Sequence, residues 1–360
     1  MKIKGFQNKL LKKKIDFALF YNFDFSRTDP NFQYFSGYKD LGILVIPSKK
    51  KPFILIPAMD DQRFKSKKIK KHLFEKKRKA FDSINRILNK ERVRKKIIGI
   101  DKSQVTLRMH KAIKNIFKKS NIVDISLECE KLRETKTKEE IRNLRRACQI
   151  TDKIISKCIK SIINKKIKTE KQAEKFLEIE TLKNDCELSF PSIVASGKMA
   201  SIPHYNPQNV KFRKGFCVID FGVSYHGYKA DITRTIYIGK PNKKEIELYA
   251  LLLNCQKKVI NNIKKGDNCG KVYKNSIKLL GDLKDKFIHG LGHGIGLNIH
   301  ESPSLVLDSK DKLDEGSVFT IEPGIYFKNK MGIRIEDDVA IINGKVQVLT
   351  KTKKELIIAK

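Results

Sequence analysis

Over the first third of the chain, short apolar runs at residues 17–21, 41–47, 53–57 and 97–100 alternate with charged stretches. Their length and aromatic or β-branched content predict strands. A helical period at 107–117 and a last short strand at 122–125 complete the pattern of a small α/β domain. Across 127–137 the alternation gives way to charge. From Lys138 apolar residues recur at Ile141, Leu144, Ala147, Ile150 and Ile154, and Thr137 with Glu140 stands in capping-box spacing at the start of that helix. A domain boundary is expected here, dividing the chain into 1–128 and 129–360. The second part continues with helical patterns at 170–183, 243–263 and 270–283 and with strands at 217–225, 229–238, 317–321 and 332–342. No repeat of fixed period is visible. The mixture predicts an α+β domain, with helices packed on a strongly curved antiparallel sheet.

Chemistry concentrates in that second part. Val218-Ile219-Asp220-Phe221-Gly222-Val223 and Lys229-Ala230-Asp231-Ile232-Thr233-Arg234 flank His226-Gly227, a two-residue turn between β-rich segments. If Tyr225 pairs with Tyr228, Asp220 lies opposite Thr233 and diagonal to Asp231 on one face. Two carboxylates in apolar strands need a cation or hydrogen-bond donors. A metal site and a structural Asp pair capped by Arg234 and Thr233 are both consistent with the hairpin.

A second cluster, His289-Gly290-Leu291-Gly292-His293-Gly294-Ile295-Gly296-Leu297-Asn298-Ile299-His300-Glu301, places three of seven histidines within twelve residues, which favours a site over a lone structural histidine. Its i,i+4 pair could suggest a helical zinc site, but the glycines argue against a regular helix. Phe319-Thr320-Ile321-Glu322-Pro323-Gly324 and Gly332-Ile333-Arg334-Ile335-Glu336-Asp337-Asp338 each put an acid directly after an apolar run. Periodicity does not say which of Glu336, Asp337 and Asp338 faces inward.

Taken together and in order, these motifs closely resemble the pita-bread metallopeptidases, in particular the proline-cleaving branch that contains aminopeptidase P and prolidase. The resemblance is strong over residues 129–360. It is looser over the first third, where the α/β pattern and Asn31-Phe32-Gln33-Tyr34-Phe35-Ser36-Gly37-Tyr38 carry it. It implies five metal ligands, Asp220, Asp231, His293, Glu322 and Glu336, around two divalent ions, with Mn²⁺ first and Co²⁺, Fe²⁺ or Zn²⁺ as alternatives. Asp231 and Glu336 would bridge the ions, and water shared by them would supply the nucleophile. Glu322, His204 and His300 are implied as catalytic groups. His289 and Arg334, which fill places particular to the proline-cleaving branch and absent from methionine aminopeptidases, are implied to shape the substrate pocket. The expected activity is an Xaa-Pro aminopeptidase acting on peptides with proline at the second position. An Xaa-Pro dipeptidase is the alternative, and a methionine aminopeptidase-like enzyme or a non-catalytic basic binding protein lies further off. A homodimer is the family expectation.

Composition changes this picture little. A net charge of +37 would by itself suggest an anionic partner. Lysine is abundant throughout, however, and the densest clusters, at 65–71 and 76–79, lie far in sequence from the motifs above. A solvated surface with weak, salt-sensitive nucleic-acid association is the expectation. The seven scattered cysteines form no CxxC pair and are expected to be reduced and buried. No long uncharged apolar stretch and no leader-like N-terminus appear, so no membrane partner and a cytoplasmic location are expected.

Overall fold

The computed structural model describes residues 2–23, 28–66 and 68–360. Lys67, within the first lysine cluster, lies outside the described residues, as do the side chains of Lys77 and Arg78. The chain forms two compact units, Met1–Leu132 and Arg133–Lys360.

In the first unit the elements run α1 (Lys2–Lys12), β1 (Phe17–Asn22), α2 (Pro30–Ser36), β2 (Gly42–Pro47), β3 (Phe53–Pro57), β4 (Lys70–Phe74), α3 (Lys77–Lys90), β5 (Ile97–Ile100), α4 (Leu107–Ile116), β6 (Asn121–Asp124) and α5 (Ser126–Arg133). The strands form one sheet in the order β4-β3-β2-β1-β5-β6. Both faces are covered, which explains why β1 reads as an unbroken apolar run. Its Ala18 and Phe20 pack with Phe6, Leu10, Phe32 and Cys129, and its Phe17 and Leu19 with Phe81, Ile84, Leu88 and Ile113. The lysine cluster at 65–71 is not simply a solvated loop. Lys70 and Lys71 begin β4, an edge strand paired in parallel with β3, and the charges keep that open edge soluble.

The second unit opens with α6 (Lys138–Ile163), started by the expected capping box: the Glu140 N–H donates to Thr137 Oγ1 at 3.3 Å and the Thr137 N–H to Glu140 Oε2 at 2.9 Å. Then follow α7 (Glu170–Leu182), β7 (Glu187–Leu188), β8 (Ile193–Ser196), β9 (Gly215–Phe221), β10 (Val223–Tyr225), β11 (Tyr228–Lys229) and β12 (Ile232–Ile238). After α8 (Lys243–Asn262) and α9 (Cys269–Leu280) come β13 (Gly292–Gly294), β14 (Glu301–Leu305), β15 (Val318–Ile321), β16 (Gly324–Phe327), β17 (Met331–Arg334), β18 (Asp337–Ile342), β19 (Lys345–Val348) and β20 (Ile358–Ala359). The expected single curved sheet is instead a set of hydrogen-bonded pieces, ordered β11-β10-β7, β20-β12-β9-β8, β14-β13-β15-β18-β19 and β16-β17. All of their pairings are antiparallel except β12 with β20. Helices α8 and α9 close one side over Phe216, Tyr237, Phe319, Ile333 and Val339.

The hairpin register is the one derived from the sequence. Tyr225 pairs with Tyr228 and Asp220 with Thr233. Both arms break in the middle, at Gly222 and at Ala230-Asp231, where the chains approach so closely that a Cβ on Gly222 would sit 1.8 Å from the Ala230 carbonyl oxygen. The expected strand at 332–342 breaks likewise into β17 and β18 around Ile335 and Glu336.

Candidate metal centre

Each acid of the four motifs stands at or next to a strand interruption. Asp220 is next to last in β9, Asp231 immediately precedes β12, Glu322 follows β15, and Glu336 separates β17 from β18. A residue at such a break need not obey the two-residue alternation of a continuous strand, so its side chain can turn to a common centre. His293 is brought there by β13, an extended segment as the glycines required. It is held between β14 and β15, so tightly that a Cβ on Gly292 would meet the Thr320 carbonyl oxygen at 2.0 Å.

The structure gathers all nine expected residues. Nε2 of His293 lies 3.7 Å from Asp231 Oδ2 and 3.5 Å from Glu322 Oε1. One donor atom each from Asp231, His293 and Glu336 fall within 4.8 Å of one another. Asp220 is tied to the cluster through Arg334, whose NH2 donates to Asp220 Oδ2 at 2.6 Å. Arg334 also donates through NH1 to the Tyr326 hydroxyl at 2.9 Å and through Nε to Thr233 Oγ1 at 3.0 Å. The Thr233 hydroxyl in turn donates to Glu336 Oε2 at 2.7 Å. His289 lies 4.0 Å from Glu322 Oε2. Its Nδ1–H donates to the Gly290 carbonyl, leaving Nε2 to accept from the Tyr326 hydroxyl at 3.0 Å. The His300 ring sits edge-on to that of His293, 4.3 Å between centroids. His204, on the segment after β8, is exposed to solvent and lies close enough to His289 and His300 to lower the basicity of both.

These groups strain one another electrostatically. Burial, then the neighbouring acids Glu336 and Asp220, pushes the Asp231 carboxyl well above the usual carboxylate range. Burial followed by Glu322 and Asp220 does the same to Glu336, and burial also raises Glu322. Desolvation of the ring, then His293 and His204, holds His300 down at about 4. Two buried carboxylate oxygens, Asp220 Oδ1 and Asp231 Oδ1, have no hydrogen-bond partner. His293 donates Nδ1–H to the Gly294 carbonyl, so its Nε2 turns a lone pair toward two carboxylates. Acceptors facing acceptors in a buried space, oxygen-rich with one imidazole, fit divalent cations such as Mn²⁺, Fe²⁺, Co²⁺ or Zn²⁺.

The alternative reading of the hairpin, an Asp pair capped by Arg234 and Thr233, is not what the side chains do. Arg234 donates to Asp337 Oδ1 at 2.7 Å and to the carbonyls of Thr233, Glu336, Thr352 and Lys353, while Thr233 serves Glu336 and Arg334. The acidic triplet sorts by partner. Glu336 joins the cluster, and Asp337 is neutralised by Arg234 and Lys354. Asp338 Oδ2 accepts the backbone N–H of Asp231 at 3.0 Å and the Cys148 thiol at 3.2 Å. Thr233 and Asp338 therefore support the site in roles other than those the sequence suggested, and Tyr326 supports it although no sequence signal singled it out. A Thr or Tyr in a strand has no pattern that tells a bridging hydroxyl from a packed one.

The family comparisons agree with this geometry. Residues 142–343 match the model of metallopeptidase family M24, and residues 2–135 match the creatinase/prolidase N-terminal domain. The chain is 35% identical over 336 residues to an Xaa-Pro dipeptidase of Pyrococcus furiosus, covering 91% of this chain and 92% of that protein. It superposes on the structure of an Xaa-Pro dipeptidase from Bacillus anthracis with a TM-score of 0.90 at 29% identity, covering 99% of each chain. On that of an X-Pro aminopeptidase from Thermotoga maritima the TM-score is 0.87 at 27% identity, covering 98% and 99%. With buried acids and a histidine arranged for metal at its centre and a family match across most of its second unit, this chain belongs to metallopeptidase family M24, on the pita-bread fold.

Proposed function

We propose that the protein is an Xaa-Pro dipeptidase. The sequence alone put the aminopeptidase first. The similar Pyrococcus furiosus and Bacillus anthracis proteins are both named as Xaa-Pro dipeptidases, which favours the dipeptide substrate. The observation that carries the reading is the convergence of Asp231, His293 and Glu336 beside the Arg334–Asp220 pair. Asp220, Asp231, His293, Glu322 and Glu336 would hold two divalent cations, Mn²⁺ in this proposal, whose Lewis acidity lowers the pKa of water and polarises a carbonyl. Residues 129–360 then form the catalytic domain and residues 1–128 a separate N-terminal domain, in a cytoplasmic homodimer.

The remaining steps belong to side chains. Glu322, half-buried and 3.5 Å from His293, is placed to take the proton of the attacking water and pass it to the departing proline nitrogen. That nitrogen needs the proton because an unprotonated amide anion is too basic to leave the tetrahedral intermediate. His300, at the open side of His293, donates to the oxyanion that develops on the scissile carbonyl, with His204 near the same amide. The chain His289, Tyr326, Arg334, Asp220 fixes one wall of the pocket.

Purified protein with Mn²⁺ should be offered Xaa-Pro, Xaa-Pro-Xaa and Met-Ala-Xaa peptides. Turnover of the dipeptide alone is the expected result. Equal cleavage of the tripeptide before proline returns the reading to an aminopeptidase. Release of Met alone overturns the proline assignment.

A further inference from the structure

Glu170 is the first residue of α7 and is fully buried, yet its carboxylate does not cap its own helix. That work is done by Thr169 and Gln172, which form a complete capping box. The Glu170 carboxylate instead serves one segment elsewhere in the same unit. Oε1 accepts the Ser196 N–H at 3.0 Å and the Ser196 hydroxyl at 2.7 Å. Oε2 accepts the Tyr205 hydroxyl at 2.9 Å and the Gln208 N–H at 3.4 Å. Two backbone bonds, Glu170 N–H to the Val210 carbonyl and Lys171 N–H to the Gln208 carbonyl, hold the far end to the same helix start.

These contacts pinch residues 196–208 into a loop closed at its base by one carboxylate. Ser196 ends β8 on one side, and Tyr205 and Gln208 stand on the other. The loop carries a short 3₁₀ turn, Gly197–Ser201, and then Pro203 and His204. At its tip the Pro203 carbonyl lies 3.5 Å from Arg334 NH1, the guanidinium that holds Asp220. His204 itself is exposed, and among the described residues no hydrogen bond holds its ring, so its position is set by the loop and not by packing of the imidazole.

We propose that Glu170 is a positioning residue for His204. A buried carboxylate is costly unless its acceptors are filled, and here every hydrogen bond it accepts comes from the two ends of the His204 loop, with the Arg213 guanidinium 3.8 Å from Oε1 as its counter-ion. The loop conformation and the buried charge therefore stand or fall together. Glu170 is remote in sequence from all five proposed metal ligands, so its loss should misplace His204 without emptying the metal centre. The inference rests on the role given to His204 under the proposed function.

A double-mutant cycle tests it. Glu170→Ala and the milder Tyr205→Phe, alone and in a His204→Ala background, are assayed for Xaa-Pro dipeptide hydrolysis with Mn²⁺. Mn²⁺ affinity is measured by calorimetry, and amide hydrogen exchange is followed across residues 196–208. A misplacement near 1 Å can cost about 100-fold, so Glu170→Ala should lower kcat by roughly 10- to 100-fold, and Tyr205→Phe by less, with Mn²⁺ affinity unchanged. Neither should lower it further once His204 is gone. Exchange should rise in 196–208 and stay level in 215–238. Losses that add in the two backgrounds, or a parallel fall in Mn²⁺ affinity, overturn the proposal. Unchanged exchange in 196–208 overturns it whether or not the protein proves active. An inert His204→Ala effect with intact loop coupling would instead remove His204 from the proposed reaction. If Glu170→Ala fails to fold, Tyr205→Phe, which deletes one hydroxyl, carries the same comparison.

Discussion

Asp231 makes the sharpest demand on its surroundings: it is buried, one of its carboxylate oxygens lacks a donor, and four further acids crowd it. Asp231→Asn keeps the shape and removes the charge. Turnover should fall at least about 100-fold, the upper range for disturbing a partner of a metal ligand, and bound Mn²⁺ measured by mass spectrometry should drop with it. Thr233 tests the layer behind. Its hydroxyl both receives Arg334 Nε and donates to Glu336, so Thr233→Val leaves a buried donor and a buried acceptor unmatched. Mn²⁺ affinity read by calorimetry should weaken about 10- to 100-fold. The five proposed ligands were legible through the family resemblance, because each sits in a short and distinctive motif. The bridge that Thr233 makes from Arg334 to Glu336 was not, since β12 is buried along nearly its whole length and the sequence suggested only that Thr233 caps the Asp pair.

At the scale of the element, the hairpin 215–238 was readable down to its register because His226-Gly227 fixes the turn and every pair then follows by counting. The interruptions at 222 and 230–231 were not readable. They arise from close backbone contact across the hairpin, which a run of apolar residues does not announce. Gly222→Ala should therefore destabilise the protein by about 1–3 kcal/mol, because the new methyl would collide with the Ala230 carbonyl and not with a flexible side chain. Urea unfolding checks this, and an unchanged midpoint would show that the hairpin yields there. Strand β4 was hidden for another reason. Its Lys70-Lys71-His72 start carries no apolar alternation, and only the neighbouring β3 makes it a strand. Strands β13 and β14, rich in Gly, Ser and Pro, likewise exist by virtue of their partners.

For the whole molecule, two expectations follow from burial and charge. All seven cysteines are buried thiols outside any disulfide, and burial pushes those of Cys158 and Cys269 up to about 12. A thiol reagent at pH 8 should label the native protein far more slowly than the unfolded chain, and fast labelling of any one cysteine would mean local opening of its unit. Mn²⁺ at about 100 times its Kd should add about 2.7 kcal/mol of stability, because the acids proposed to bind it are brought together only in the fold. A thermal midpoint that does not rise with Mn²⁺ would count against the centre. Among the described residues no helix is long and apolar enough to cross a membrane.

By itself the sequence determined the two-part organisation, the helix starts and the hairpin register, and it named the residues proposed to hold metal. The first three rest on local spacing, and the last on the resemblance of four short motifs to a known family. Tertiary structure alone decided where the strands break, which partners Asp337 and Asp338 find, and which buried carboxylate holds the His204 loop. Those outcomes depend on contacts between residues as far apart as Glu170 and Gln208 or Asp231 and Asp338. A buried charge finds its partner only after the chain has folded, so no local pattern can name that partner beforehand.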